Sequence, residues 1–133
     1  MSKLIWVEDE LGPCSHFQVS LEDMGFELLI FRSFHETSSY LSRGGDADGI
    51  IFDILIPQGG AVKAVESNQD IGIQLVRNVI QEKCFPPDKC FVLTILRDPA
   101  LNEELREIGI PVANIYDKTS DPETFASEVK NRL

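Results

Sequence analysis

A chain of 133 residues with 43% hydrophobic content fits one domain whose core closes without metal or disulfide staples. Its formal net charge of −10 argues against nucleic acid as a partner, because binding to a phosphate backbone draws its free energy from lysines and arginines that displace counterions. No stretch approaches the roughly 18 uninterrupted apolar residues of a membrane span, no basic segment precedes an apolar signal core, and Cys14, Cys84 and Cys90 lack CxxC spacing; the chain reads as cytoplasmic, with no membrane, zinc or disulfide role.

In chain order, the apolar run at residues 3–7 predicts a first strand. A helix follows over about 13–24, with Phe17, Leu21 and Met24 on one face and Gly25 as its stop. FELLIF at 26–31 predicts a second strand, and Ser33 with Glu36 three residues later starts a helix that runs through Leu41 to Gly44 and Gly45. GIIFDIL at 49–55 is apolar on both faces, as a buried parallel strand must be, and Pro57, Gly59 and Gly60 end it. Residues 58–69 have no strong period and predict an extended loop, long for an α/β unit, before a helix over IGIQLVRNVIQEKC. Past Pro86 and Pro87 come the strand CFVLTIL, a helix over about 99–108, the short strand ANIYDK, and a last helix begun at Asp121 with Pro122. Five strands alternating with five helices predict a doubly wound α/β fold, one parallel sheet covered on both faces, spanning 1–133 as one domain.

Parallel strands place their carboxyl ends on one edge, and ligand sites of open α/β sheets gather there. In this chain Glu8 and Asp9 follow LIWV, Asp53 follows GIIF, Thr94 follows FVL, and Lys118 follows NIYD. These scattered residues are therefore expected to converge. Glu8, Asp9 and Asp53 supply hard anionic oxygens suited to magnesium, which keeps several waters and uses few protein carboxylates. The Asp53 carboxylate is a competent nucleophile, the Lys118 ammonium could neutralise an incoming phosphoryl group, and the Thr94 hydroxyl could bond one of its oxygens. The combination points to an aspartyl phosphate. Most other acidic residues sit at helix-like positions that a solvated face explains, and His16 and His35 lie away from this edge with no assigned role.

At these residues the chain resembles the receiver domain of two-component response regulators, over essentially its whole length. The pieces that carry the resemblance, in order and spacing, are WVEDE, FDILIP, VLT and YDK. The resemblance implies a flavodoxin-like sheet with strand order 2-1-3-4-5. It implies further that Asp53 accepts a phosphoryl group from a histidine kinase or phosphotransfer protein, with Thr94 and Lys118 assisting. Magnesium would be bound by Asp9, Asp53 and the backbone carbonyl of Leu55, with Glu8 acting through a water.

The chain departs from the family pattern at several positions. Ile95 stands where receivers usually carry a small residue, and it is expected to narrow the path to Asp53. Thr119 replaces the proline that usually follows the lysine, so no cis peptide is expected there. Ile115 occupies the usual aromatic switch position, while Tyr116 falls on the opposite face of the strand. The loop after Pro57 is longer than usual by about a dozen residues. Beside the expected pocket stand Glu10, Leu55 and Leu96; the two leucines offer no group to orient an attacking water, which predicts a long-lived phosphoryl group.

With its last helix at Leu133, the chain is expected to signal by contact with a downstream protein, as a signalling substrate and not an enzyme; self-association stays open. A reading from a different class is a degenerate receiver that serves as a phosphorylation-independent adaptor, motivated by Ile95, Thr119, Ile115 and the long loop. A phosphatase using an aspartyl phosphate would need a second aspartate where Leu55 stands. A flavin domain would need a phosphate-binding loop where Glu8, Asp9 and Glu10 repel phosphate.

Overall fold

Five apolar runs become five parallel strands: β1 Lys3–Glu8, β2 Glu27–Phe31, β3 Gly49–Ile54, β4 Cys90–Thr94 and β5 Ile115–Asp117. In the computed structural model, which describes residues 2–8, 15–31, 34–54, 76–81, 85–94, 99–117 and 119–133, they form one sheet in the order β2-β1-β3-β4-β5. The strand and helix alternation predicted this doubly wound fold, and the family resemblance implied this strand order. The helices are α1 Ser15–Asp23, α2 Phe34–Ser42, α3 over 76–81, α4 Pro99–Ile108 and α5 Pro122–Arg132. Among the described residues no helix is long and apolar enough to cross a membrane.

Alternation along the strands divides the core into two layers. Leu4, Trp6, Ile51, Phe91 and Leu93 pack with Phe17 and Leu21 of α1 and with Phe125, Ala126 and Val129 of α5. Ile5, Val7, Ile50, Phe52 and Val92 point the other way, onto Val76, Val79 and Ile80 of α3 and Leu105 of α4, with Tyr40 and Leu41 of α2 alongside. The central strands read as unbroken apolar runs because both of their faces are buried.

Helix ends follow local chemistry. Gly25 stops α1 at φ 97°, a conformation that side chains with a Cβ resist. Gly109 stops α4 in the same way at φ 113°, where the Ile110 N–H donates back to the Leu105 carbonyl at 3.0 Å. At the start of α5 the Asp121 carboxylate accepts from the Thr124 N–H at 3.0 Å and from the Thr124 hydroxyl at 2.9 Å, with Pro122 in the first turn.

Three strand boundaries differ from expectation, and of these β2 starts one residue late, at Glu27. β1 runs one residue further, because Glu8 pairs in register with Asp53. β5 is shorter than ANIYDK: Val112–Asn114 form a 3-10 turn and only Ile115–Asp117 join the sheet. Asn114 explains the turn. Its side chain is buried, and its amide donates to the carbonyls of Asp88 at 3.1 Å and Cys90 at 3.0 Å, tying the entry of β5 to the entry of β4. Asn114→Leu is expected to destabilise the protein by about 1–3 kcal/mol, since it leaves the Cys90 carbonyl without that donor in a buried site. Urea denaturation measures this, and a loss below about 0.5 kcal/mol would show that the two bonds carry no net stability.

Candidate functional site

The carboxyl edge of the sheet gathers the described part of the expected site. Glu8 ends β1 and is the register partner of Asp53 on β3. Asp53 pairs in turn with Leu93 on β4, and the next residue of β4, Thr94, pairs with both Ile54 and Asp117. With strands about 4.8 Å apart and about 3.3 Å of rise per residue, the Thr94 backbone lies about 6 Å from that of Asp53. Three of the strand ends singled out in the sequence are thus neighbours. Asp9, Leu55, Lys118, Glu10, Ile95, Leu96 and the 58–69 segment lie outside the described residues.

Asp53 is 7% exposed, at the end of a strand whose preceding three residues are fully buried. Alternation puts it on the sheet face covered by α1 and α5, the side of Ile51 and Leu93. A carboxylate held out of water is costly unless charged or polar partners compensate it. The donor chemistry fits magnesium: a hard, nearly buried carboxylate on the central strand, with an acidic residue level with it on the adjacent strand.

β5 bears out the expected division of its two faces. Ile115 is the register partner of Val92 and packs with the layer under α3 and α4. Tyr116 packs instead with the α1 and α5 layer, its ring edge-on to Phe125 at 4.9 Å between centroids, and Phe125 in turn meets Phe17 at 5.6 Å. An unbroken aromatic row therefore runs from β5 through α5 to α1.

Burial, and then the nearby Glu128 carboxylate, push the Tyr116 phenol up to about 12 from its ordinary value of 10.0, with Arg132 opposing. A pKa raised by folding means that the folded state holds this proton more tightly than the unfolded chain. The associated stability is complete below pH 10 and is lost as pH rises towards 12. Wild type is therefore expected to lose stability over that window more steeply than Tyr116→Phe. Urea midpoints taken at several alkaline pH values decide this, and parallel curves for the two proteins would contradict it. Burial likewise pushes the Cys90 thiol up, with Asp88 adding to the effect, so Cys90 behaves as an inert core side chain.

One feature that the sequence reading missed lies at the end of β5. Asp117 Oδ1 accepts two hydrogen bonds from Thr119, from its backbone N–H at 2.8 Å and from its hydroxyl at 2.9 Å. The signal was present in the sequence as an aspartate two residues before a threonine, a pair able to close an Asx-type turn.

No family model and no curated protein matches the chain. Solved structures do. The signal receiver domain of a signal transduction histidine kinase from Syntrophus aciditrophicus is 25% identical, with a TM-score of 0.72 over 100% of this chain and 90% of that one. The chemotaxis protein CheY4 of Vibrio cholerae is 21% identical, with a TM-score of 0.71 over 100% and 99% of the two chains. A CheY-like response regulator receiver domain protein from Methanospirillum hungatei is 16% identical, with a TM-score of 0.72 over 99% and 93%. The fold is that of response regulator receiver domains, over the whole chain.

Proposed function

We propose that this chain is a phosphoacceptor receiver of a two-component phosphorelay, which takes a phosphoryl group onto Asp53 from a histidine kinase or phosphotransfer protein and signals by protein contact. The observation that carries the reading is a nearly buried aspartate at the carboxyl end of the central strand of a receiver fold, level with Glu8 and beside Thr94. An Asp53 carboxylate oxygen forms the new O–P bond as the P–N bond of the donor phosphohistidine breaks, and the departing imidazole nitrogen keeps the electron pair. Asp9, Asp53 and the Leu55 carbonyl would hold magnesium, with Glu8 acting through a water. Magnesium held there would supply positive charge to the phosphoryl oxygens. Lys118 neutralises charge on the transferred group and Thr94 donates a hydrogen bond to it. The chain is a cytoplasmic signalling substrate in this reading, not an enzyme.

A second reading, a phosphorylation-independent adaptor on the same fold, draws support from Ile115. The side chain at the usual aromatic switch position is aliphatic and packs into the core under α4. Intact mass after incubation with acetyl phosphate and magnesium separates the two readings. A gain of one phosphoryl mass is expected, and no gain at any magnesium concentration would favour the adaptor.

A further inference from the structure

We propose that Tyr116 couples the state of Asp53 to α5: a phosphoryl group on the Asp53 carboxylate moves the Tyr116 ring, through Leu93, until its hydroxyl donates to the Glu128 carboxylate. The inference rests on reading Asp53 as the phosphoacceptor. Four residues stand level across the sheet, Glu8 on β1, Asp53 on β3, Leu93 on β4 and Tyr116 on β5, each the register partner of the next. Alternation puts all four on the face covered by α1 and α5, where Leu93 and Tyr116 pack. With strands about 4.8 Å apart, the Tyr116 backbone lies about 10 Å from that of Asp53. Leu93, fully buried, is the one residue of the row between them.

The far end of the row holds an unmet donor. The Tyr116 hydroxyl is buried and makes no hydrogen bond to any described group, although the Glu128 carboxylate and the Arg132 guanidinium, one turn apart on α5, are close enough to act on its proton. A buried hydroxyl without a partner costs free energy, so a small movement of the ring that lets it reach Glu128 is rewarded. β5 is the last strand of the sheet, so no further strand resists a movement of Tyr116 away from Leu93. A phosphoryl group adds volume on the face where Asp53 meets Leu93, and a close-packed layer passes such a displacement on instead of absorbing it. Glu128 is half-buried and Arg132 exposed, so the new bond changes the outer surface of α5 with the state of Asp53.

The test uses the full chain and beryllium fluoride, a phosphoryl mimic, at fixed magnesium and neutral pH, with fluorine NMR of the bound ion giving its affinity. Coupling is reciprocal, so a hydroxyl that gains a bond only in the occupied state must tighten binding at Asp53. Tyr116→Phe keeps the ring and is expected to weaken binding at least about fivefold, with the urea midpoint at neutral pH not lowered. Glu128→Gln and Glu128→Ala both remove the carboxylate charge, and only glutamine keeps an acceptor. Glu128→Ala is therefore expected to bind more weakly than Glu128→Gln, and this difference should vanish in the Tyr116→Phe background. A ring with a purely structural role would not give that pattern. A Tyr116→Phe affinity equal to wild type, or a difference between the two Glu128 variants that persists without the hydroxyl, would overturn the coupling while leaving the receiver reading in place. A wild type that binds no beryllium fluoride, or Asp53→Asn that binds it equally well, would overturn the receiver reading, and the coupling with it.

Discussion

Asp53→Asn is expected to take up no phosphoryl mass under conditions in which wild type is modified. Asparagine keeps the size and shape of the side chain, so the central strand and the two core layers on either side of it should be undisturbed. What it loses is the nucleophilic oxygen and the negative charge. An amide does not form an acyl phosphate, and a neutral ligand on a strand end binds a hard dication far more weakly than a carboxylate. A second readout follows from binding linkage. Magnesium at ten times its dissociation constant should stabilise wild type by about 1.4 kcal/mol and leave Asp53→Asn almost unmoved. Phosphoryl mass on the Asp53→Asn variant would place the acceptor elsewhere, with Glu8 and Asp9 the first residues to examine.

Phe125→Ala is expected to destabilise the protein by about 3–5 kcal/mol, the usual range for emptying a buried aromatic site. Total stability for a domain of this kind is only about 5–15 kcal/mol, so the variant should be marginally folded. The size of the effect comes from where the ring sits. Phe125 is fully buried and stands between Tyr116 and Phe17, edge-on to both, so its removal opens the joint between α5, β5 and α1 at once. Phe125→Leu fills most of the volume and loses the two ring contacts, each worth about 0.5–1.5 kcal/mol, and should fall between wild type and Ala. Urea unfolding of the three proteins measures both steps. A loss of less than about 1.5 kcal/mol for Ala would mean that α1 and α5 close over the gap.

The sheet was legible because its signals are redundant. β1, β3 and β4 are apolar on both faces, and only a buried parallel strand asks for that over five or six residues. The ends of α1 and α5 were legible because Gly25, Asp121 and Pro122 each impose a backbone geometry on their own. β5 is shorter than its sequence suggests for a physical reason: Asn114 lies beside Ile115 and Tyr116, and nothing local says that its amide will be claimed by carbonyls of Asp88 and Cys90, over twenty residues earlier in the chain. The faces of Ile115 and Tyr116 followed from alternation alone. At the candidate site, the strand-end positions of Glu8, Asp53 and Thr94 were readable, since pattern and topology fix them. The turn in which Thr119 donates to Asp117 was not, because a local turn competes with many alternatives until the strand before it is seen to end.

The chain contains a single tryptophan, and Trp6 is fully buried in the layer that also carries Tyr116 and Phe125, two residues before Glu8 on β1. Its indole N–H makes no hydrogen bond to any described group. A chromophore packed among apolar side chains in this way should emit at short wavelength and shift to the red as soon as water reaches it. Light from one residue therefore reports whether α1 and α5 are closed against the sheet, and the protein needs no added label for that layer to be watched in solution.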